Sequence, residues 1–324
     1  MQLVVLSARP AMLGGTLHHV AAHLPWVERA LVVTPARLSE AVQRLHSEHL
    51  PVEVVTDEDL LGGTGPTDHA RRNYALRAAL AGCAAVDEVF LSADDDNRPL
   101  VHVPETTYIQ DGRHRRYTFG HLDDWDRRAT SHDACQLASR AVLALHGMPR
   151  RAYASHMPQV IDKALLAEVV ALFAPAAARA PLDEWATYGN AAPALHPERF
   201  EEPEPYLTLG WPDDTATWQA VLDPAALTFE NCFLEHYAPG AVFAGIDPDD
   251  TSYAAAVDKV VRWRTYELQV LAGEVPAALA PPVLHSRLGA ALRRLRATAV
   301  GDPVLRDRRD RAATATLLRA LTRR

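Results

Sequence analysis

Asp94, Asp95 and Asp96 follow one another directly after the apolar run "VDEVFLSA", and Asn97, Arg98 and Pro99 come next. Three like charges in a row are costly unless water or a cation screens them. Asp94 and Asp96 are the candidate metal ligands: carboxylate oxygens suit a hard divalent cation, Mg²⁺ or Mn²⁺, that also grips a diphosphate. Such a cation would neutralise charge building on a leaving phosphate. The plainer alternative is a solvated acidic turn whose carboxylates cap backbone N–H groups. Arg98 has two readings as well: a fork for phosphate oxygens, or an ion pair back to the aspartates. Asn97 either ligates the metal or fills the turn.

The elements around the aspartates decide between these readings. "QLVVLSA", "ALVVTP", "PVEVVT" and "EVFLSA" read as strands. They alternate with helical stretches "LGGTLHHVAAHL", "ARLSEAVQRLHSE" and "ARRNYALRAALAGCA". Short β-branched runs between amphipathic helices imply an α/β fold, a mostly parallel sheet flanked by helices. Ligands of such sheets bind at the carboxyl ends of the strands, which is where the aspartates fall. Residues 104–133 read as loop or short strands with a turn at "QDG". Helices are expected over 134–147 and 160–174, then a Pro-rich irregular region to about residue 214. Helical stretches near 252–272, 283–297 and 303–322 make the C-terminal part mainly helical.

A second informative stretch is "RRAYASHMPQVIDKALLAEVVALF". His156 precedes Met157-Pro158, and a neutral imidazole beside a phosphate site is suited to take a proton from a hydroxyl. Lys163 is a candidate to offset phosphate charge, against the ordinary reading of a helix-surface lysine. In "DEWATYGN", Glu184, Trp185, Tyr188 and Asn190 are candidates to line an acceptor sugar, by ring stacking and hydrogen bonding. The competing reading is an aromatic core patch followed by a Gly-Asn turn. His18, His19, His23, His46 and His49 read as helix-face or core residues.

The spacing of Asp94 and Asp96 matches the DxD element of nucleotide-sugar transferases of the GT-A type. "SHMPQVIDKALLAEVVALF" resembles the histidine-containing region of the Stealth family of hexose-1-phosphate transferases. That family includes bacterial capsular-polysaccharide polymerases and the enzyme that tags lysosomal glycoproteins. "TLHHVAAHLPWVERALVVTP", "VEVVTDEDLL", "DEVFLSADD" and "FLEHYAPGAVFAG" are similar to other blocks of the family, in its order, so the resemblance covers most of residues 9–243. It implies a GT-A-like, Rossmann-like core, a nucleotide-diphosphate sugar as donor, a divalent cation, and a role in polysaccharide biosynthesis. By position it carries functional roles onto Arg9, Asp94, Asp95 and His156, with Asp95 and His156 as catalytic residues, and a further match at Asp223. Arg9, Arg98 and Lys163 are then the donor-binding cations.

Three departures stand against it. The family's opening strand motif, rich in Asp, Tyr and Trp, is missing from "MQLVVLSA". Ala93 stands where an asparagine precedes the paired aspartates. The arginine expected after the His156 helix is not evident, although Arg199 is a candidate to replace it. The expected reaction is transfer of a sugar-1-phosphate to a hydroxyl acceptor, a saccharide or a polyol. The alternatives are ordinary glycosyl transfer with release of a nucleoside diphosphate, and a degenerate non-catalytic protein that binds nucleotide or carbohydrate. A metal-dependent phosphoester hydrolase ranks below these, for want of a second separated cluster of metal ligands.

Composition sets the remaining bounds. The chain has 324 residues, 48% hydrophobic and 23% charged, enough to bury a large core. A net charge of −8 argues against a nucleic-acid partner. Cys83, Cys135 and Cys232 are scattered, which fits a reducing compartment. With no signal peptide and no run of spanning length, the expectation is a cytoplasmic protein without a transmembrane segment. The basic C-terminal stretch reads as a solvated helix face, with peripheral contact to a membrane or an anionic polymer as the alternative. The expected organisation is a nucleotide-sugar-binding core over 1–125, an acceptor and catalytic half over 126–250, and a helical extension over 251–324. "LLGGTGPT" lacks the Gly-Lys-Ser/Thr of a phosphate loop and reads as a turn. Asp123, Asp124 and Asp126 read as a solvated loop, and "IDPDDTS" as a helix N-cap at Asp250 or Thr251.

Overall fold

Four apolar runs become the parallel strands Gln2–Leu6 (β1), Arg29–Thr34 (β2), Val52–Thr56 (β3) and Val89–Asp94 (β4). The computed structural model describes residues 1–47, 49–125, 130–153, 157–205, 208–209 and 228–272. β1 lies between β2 and β4, and β3 pairs on the far side of β2, all in parallel register. A fifth strand, Gln159–Asp162, pairs antiparallel with β4 and closes that side of the sheet. Leu3, Val4, Val5, Ala30, Leu31, Val32, Phe90 and Leu91 are all buried. Both faces of the central strands are therefore covered, as expected for a parallel sheet.

The flanking helices are Pro10–His23 (α1), Ser39–Gln43 (α2), Asp57–Leu61 (α3), His69–Ala79 (α4), Ser131–Leu145 (α5), Lys163–Ala177 (α6) and Glu184–Leu195 (α7). Local chemistry explains several of their starts. Pro10 opens α1 at the position where a missing N–H costs nothing. Asp68, Asp162 and Asp183 each accept backbone N–H groups as N-caps of α4, α6 and α7. Thr130 and Asp133 form a reciprocal capping box on α5.

The fold is the mostly parallel α/β sheet that the alternation predicts, with three differences in its elements. The long helix expected over 36–48 is a 3₁₀ turn, Ala36–Leu38, followed by the short α2, because the chain must already turn into β3 at Val52. The helix expected from residue 160 begins only at Lys163. Val160 and Ile161 instead pair with Leu91 and Phe90 of β4, which extends the sheet. The region expected to be irregular contains α7, despite Gly189, Asn190 and Pro193 within it. Tertiary packing overrides their poor helix propensity. A Cβ at Gly189 would lie 2.6 Å from the Tyr153 ring, so the glycine is what allows α7 to approach so closely.

A small second sheet sits beyond the carboxyl end of β4. Asn97–Pro99 (β5) pairs antiparallel with Phe229–Asn231, which pairs in turn with Thr208–Leu209. The helix Tyr253–Ala272 (α8) closes this region, and Leu100, Leu209, Phe243, Ala256, Trp263 and Tyr266 form its apolar centre. Ser252 Oγ accepts from Ala255 N, so the N-cap lies just past the expected Asp250 and Thr251. The principal core runs without a break from Leu3 to Phe229. Asp126 and the helices expected over 283–297 and 303–322 lie outside the described residues. Asp123 is not solvated: it is buried, and Arg150 grips it with two bonds of 2.7 and 2.9 Å.

Candidate functional site

β1 and β4 are neighbours, and Leu6 stands level with Asp94, so the chain leaving β1 runs beside the acidic turn leaving β4. This places Ser7 and Arg9 against Asp95 and Asp96. Asp95 is buried, and its carboxylate accepts from Ser7 Oγ at 2.6 Å and from Arg9 Nε at 3.1 Å, with a second Arg9 bond to its other oxygen. Its backbone carbonyl accepts from Thr16 Oγ1 at 2.6 Å. Both Asp95 oxygens are therefore committed to holding the Ser7–Arg9 loop. Arg9 also donates to Asp96 at 2.9 Å, and about half of its side chain remains exposed at the site. The Asp95 bonds raise its pKa further, so the guanidinium is permanently charged.

Asp94 and Asp96 are in a different condition. One oxygen of Asp94 pairs with Arg77 of α4, and a third of the side chain is exposed. Asp96 is mostly buried. Burial first, and then the charge of Asp94, push its carboxyl up to about 6 against the opposing pull of Arg9. The turn itself is braced by Asn97, whose amide oxygen accepts from Asp94 N at 3.2 Å and whose nitrogen reaches Asp96 at 3.4 Å.

Behind the turn stands Asn231. Its residue is fully buried, and neither amide atom has a hydrogen-bond partner. Asn231 is level with Asn97 across the antiparallel ladder. Cys232 N donates to Asp96 O, and Leu100 N donates to Thr228 O, both at 2.8 Å. The bonded pairs therefore alternate around Asn97 and Asn231, which face each other at a non-hydrogen-bonded position, where opposing side chains come closest. An orphaned buried amide costs about 1–3 kcal/mol and calls for a ligand or water.

Arg77 ties the turn to the helices below. It donates to Ser92 Oγ at 2.5 Å, to Ala93 O at 3.4 Å and to Asp94. Its guanidinium lies 4.1 Å above the Trp185 ring and 3.4 Å from Glu184. Arg77, Ser92, Glu184, Trp185 and Tyr188 help line a narrow cavity of about 30 Å³. Burial, and then the charge of Asp183, push Glu184 up to about 8, although Arg77 pulls the other way. Glu184 therefore holds its proton more tightly than an ordinary carboxyl, and Arg77 lies between it and Asp94.

Several predicted residues lie elsewhere. Lys163 stands next to Asp162, which pairs with Val89 at the amino end of β4, roughly 16 Å of strand away from Asp94. Its Nζ donates to Val86 O at 2.9 Å, so it cannot offset phosphate at the acidic turn. Tyr188 is buried, and its hydroxyl accepts from Asp162 N at 2.8 Å. Asn190 is buried too, bonded to the Arg151 backbone and to Ala186 O at 2.8–2.9 Å. Through these bonds the two brace α7, so their polar atoms are already engaged within the protein. Arg98 neither pairs with the aspartates nor faces the site. It is buried against α1, donating to Pro248 O at 2.7 Å and Asp249 at 2.9 Å. A Cβ at Gly15 would fall 2.2 Å from its guanidinium, so α1 needs glycine there. His19 is a core residue as expected, between Pro99 O and Pro248 O, with burial pulling it down to about 4. His156 and Asp223 lie outside the described residues.

Sequence reasoning missed Arg77 and Asn231. Arg77 left a signal, a lone arginine inside the apolar run "ALRAAL"; Asn231 left none. Among the described residues, no three His, Cys, Asp or Glu side chains converge to hold a metal. The carboxylates left to a cation at the turn are Asp94 and Asp96, while Asp95 is already spent. Two carboxylates suit Mg²⁺ or Mn²⁺, and the crowding at Asp96 is what a cation would relieve.

Fold and site together define an α/β protein with an acidic, arginine-flanked turn at the carboxyl edge of its sheet. The chain matches no protein-family model and no curated protein. Among solved structures it is similar to the galactosyltransferase LgtC in complex with donor and acceptor sugar analogues, at 13% identity over 85% of this chain and 100% of that one, with a TM-score of 0.45. No helix among the described residues is long and apolar enough to cross a membrane.

Proposed function

We propose that the chain is a metal-dependent transferase that takes a nucleotide-diphosphate sugar and moves its sugar-1-phosphate to a hydroxyl acceptor. The observation that carries this reading is the condition of Asp94 and Asp96. They are crowded carboxylates at the carboxyl edge of the sheet, with a half-exposed Arg9 beside them and the unpartnered Asn231 amide behind. Asp94 and Asp96 would hold Mg²⁺ or Mn²⁺, which when bound supplies charge neutralisation for a diphosphate. Asp95 acts by fixing Arg9, and Arg9 is the guanidinium that meets phosphate oxygens.

In this reaction the acceptor oxygen attacks the sugar-linked phosphorus, the bond from that phosphorus to the bridging oxygen breaks, and a nucleoside monophosphate leaves. The acceptor proton passes to His156, the general base of this proposal. Gln159, three residues further on, pairs with Ser92 near the same edge. Positioning and electrostatics supply most of the rate in such transfers.

One observation favours a second reading, ordinary glycosyl transfer. Arg199, the candidate to replace the phosphate-binding arginine of the Stealth-like pattern, is bound to Asp162 at 2.6 Å, at the other end of the strand pair. The two reactions leave different nucleotides. Incubating the protein with a panel of nucleotide sugars, an oligosaccharide or polyol acceptor and Mn²⁺, then separating products by chromatography, yields monophosphate in the first case and diphosphate in the second. Binding without turnover would instead leave a non-catalytic carbohydrate or nucleotide receptor.

A further inference from the structure

We propose that Arg77 is a positioning residue: its guanidinium sets the direction in which Asp94 presents its carboxylate to the cation. This rests on the cation reading above.

Arg77 sits on α4, yet its planar fork crosses to the end of β4. There it donates in turn to the side chain of Ser92, the carbonyl of Ala93 and the carboxylate of Asp94. Its orientation does not depend on Asp94. The ring of Trp185 supports its face, Ser92 Oγ and Ala93 O fix its edge, and Glu184 lies beside it. Trp185 and Glu184 both belong to the first turn of α7, which Asp183 caps through Ala186 N at 2.6 Å. The clamp is thus preformed by two helices and a strand.

Burial shows which way it points. The Arg77 side chain is 7% exposed and that of Asp94 33%, so the pair spans the boundary between core and site. An arginine needed only to join α4 to α7 would have its partners in Glu184 and Trp185. This one spends its hydrogen bonds on three successive residues leading into the acidic turn. One Asp94 oxygen is held and the other is left to the site. Lysine cannot substitute, because a point charge neither stacks on Trp185 nor spans Ser92 and Asp94 together.

Partners of metal ligands are worth about 10–100-fold in metal affinity. The test is Mn²⁺ alone, titrated into the full-length protein and followed by electron paramagnetic resonance, with urea unfolding of each variant in parallel. Arg77→Lys and Arg77→Gln should weaken Mn²⁺ binding about tenfold or more, and Asp94→Ala should abolish it. Trp185→Phe, which keeps an aromatic face under the guanidinium, should stay within about twofold of wild type. A merely structural Arg77 would lower the urea midpoint and leave Mn²⁺ affinity unchanged. Arg77 variants that bind Mn²⁺ like the wild type, while Asp94→Ala does not, overturn this proposal and spare the cation reading. A wild type that binds no Mn²⁺ overturns both. Should the Arg77 variants fail to fold, Trp185→Leu removes only the supporting ring; it should weaken Mn²⁺ about threefold, and unchanged affinity overturns the proposal.

Discussion

At its amino end β4 stands beside Asp162; at its carboxyl end it runs into Asp94, Asp95 and Asp96. Asp162 is buried and satisfied. One oxygen caps α6 through Ala164 N and Leu165 N at 2.9 and 3.1 Å, and the other pairs with Arg199. Tyr188 receives its backbone N–H. At the other end, three carboxylates share two arginines, one of the acids has its pKa pushed up, and a neighbouring amide has no partner among the described residues. Full satisfaction is what a structural carboxylate needs. Incomplete satisfaction at a sheet's carboxyl edge is what a binding site tolerates.

Four outcomes would sharpen or break this contrast. Asp94→Ala should cost about a hundredfold or more in nucleotide-sugar turnover, read from chromatographed product, with the circular dichroism spectrum unchanged. Turnover equal to wild type would remove the acidic turn from the chemistry. Asp162→Ala should do the reverse, costing about 2 kcal/mol of stability through the lost cap and leaving donor affinity unchanged. Urea unfolding and nucleotide titration measure the two halves of that statement. Tyr188→Phe strands the Asp162 N–H in the core and should cost about 1–2 kcal/mol. An increase in KM for the saccharide acceptor in that variant would reinstate Tyr188 as a sugar-binding residue.

The last outcome depends on pH. Glu184 titrates near 8 in the folded protein because burial disfavours its charge, whereas in the unfolded chain it has an ordinary carboxylate value. The folded state therefore binds the proton more tightly between those limits, and wild-type stability falls as pH rises through them. Glu184→Gln has no such titration. Its stability relative to wild type should climb from about pH 5 to pH 8, by up to about 1.4 kcal/mol per pH unit. Parallel unfolding curves at every pH would mean that Glu184 is charged throughout and that Arg77 is shared equally between two acids.

The sheet was legible because its strands are apolar on both faces and bounded by helices of the right length. The position of the aspartates followed from that order alone. Lys163 and Tyr188 were misplaced for one shared reason. "QVIDK" looks like the start of a helix, but Val160 and Ile161 extend the sheet, and that carries Lys163, and the Asp162 N–H that Tyr188 receives, to the opposite end of β4. α7 was hidden because Gly189 and Asn190 are there for contacts with Tyr153 and Arg151, which no local pattern encodes. Asn231 was invisible since its role depends on a strand pairing with residues far away in the chain.

That pairing sets an order of events during synthesis. The strands that surround β1 are complete once the ribosome has passed residue 162, yet the backbone of the acidic turn is still missing its bond from Cys232. A nascent chain arrested between those points would carry the parallel layer and most of its hydrophobic centre, with the aspartates still untethered on one side. The proposed capacity to bind a nucleotide should therefore switch on late and abruptly in translation, well after the growing polypeptide first becomes resistant to protease.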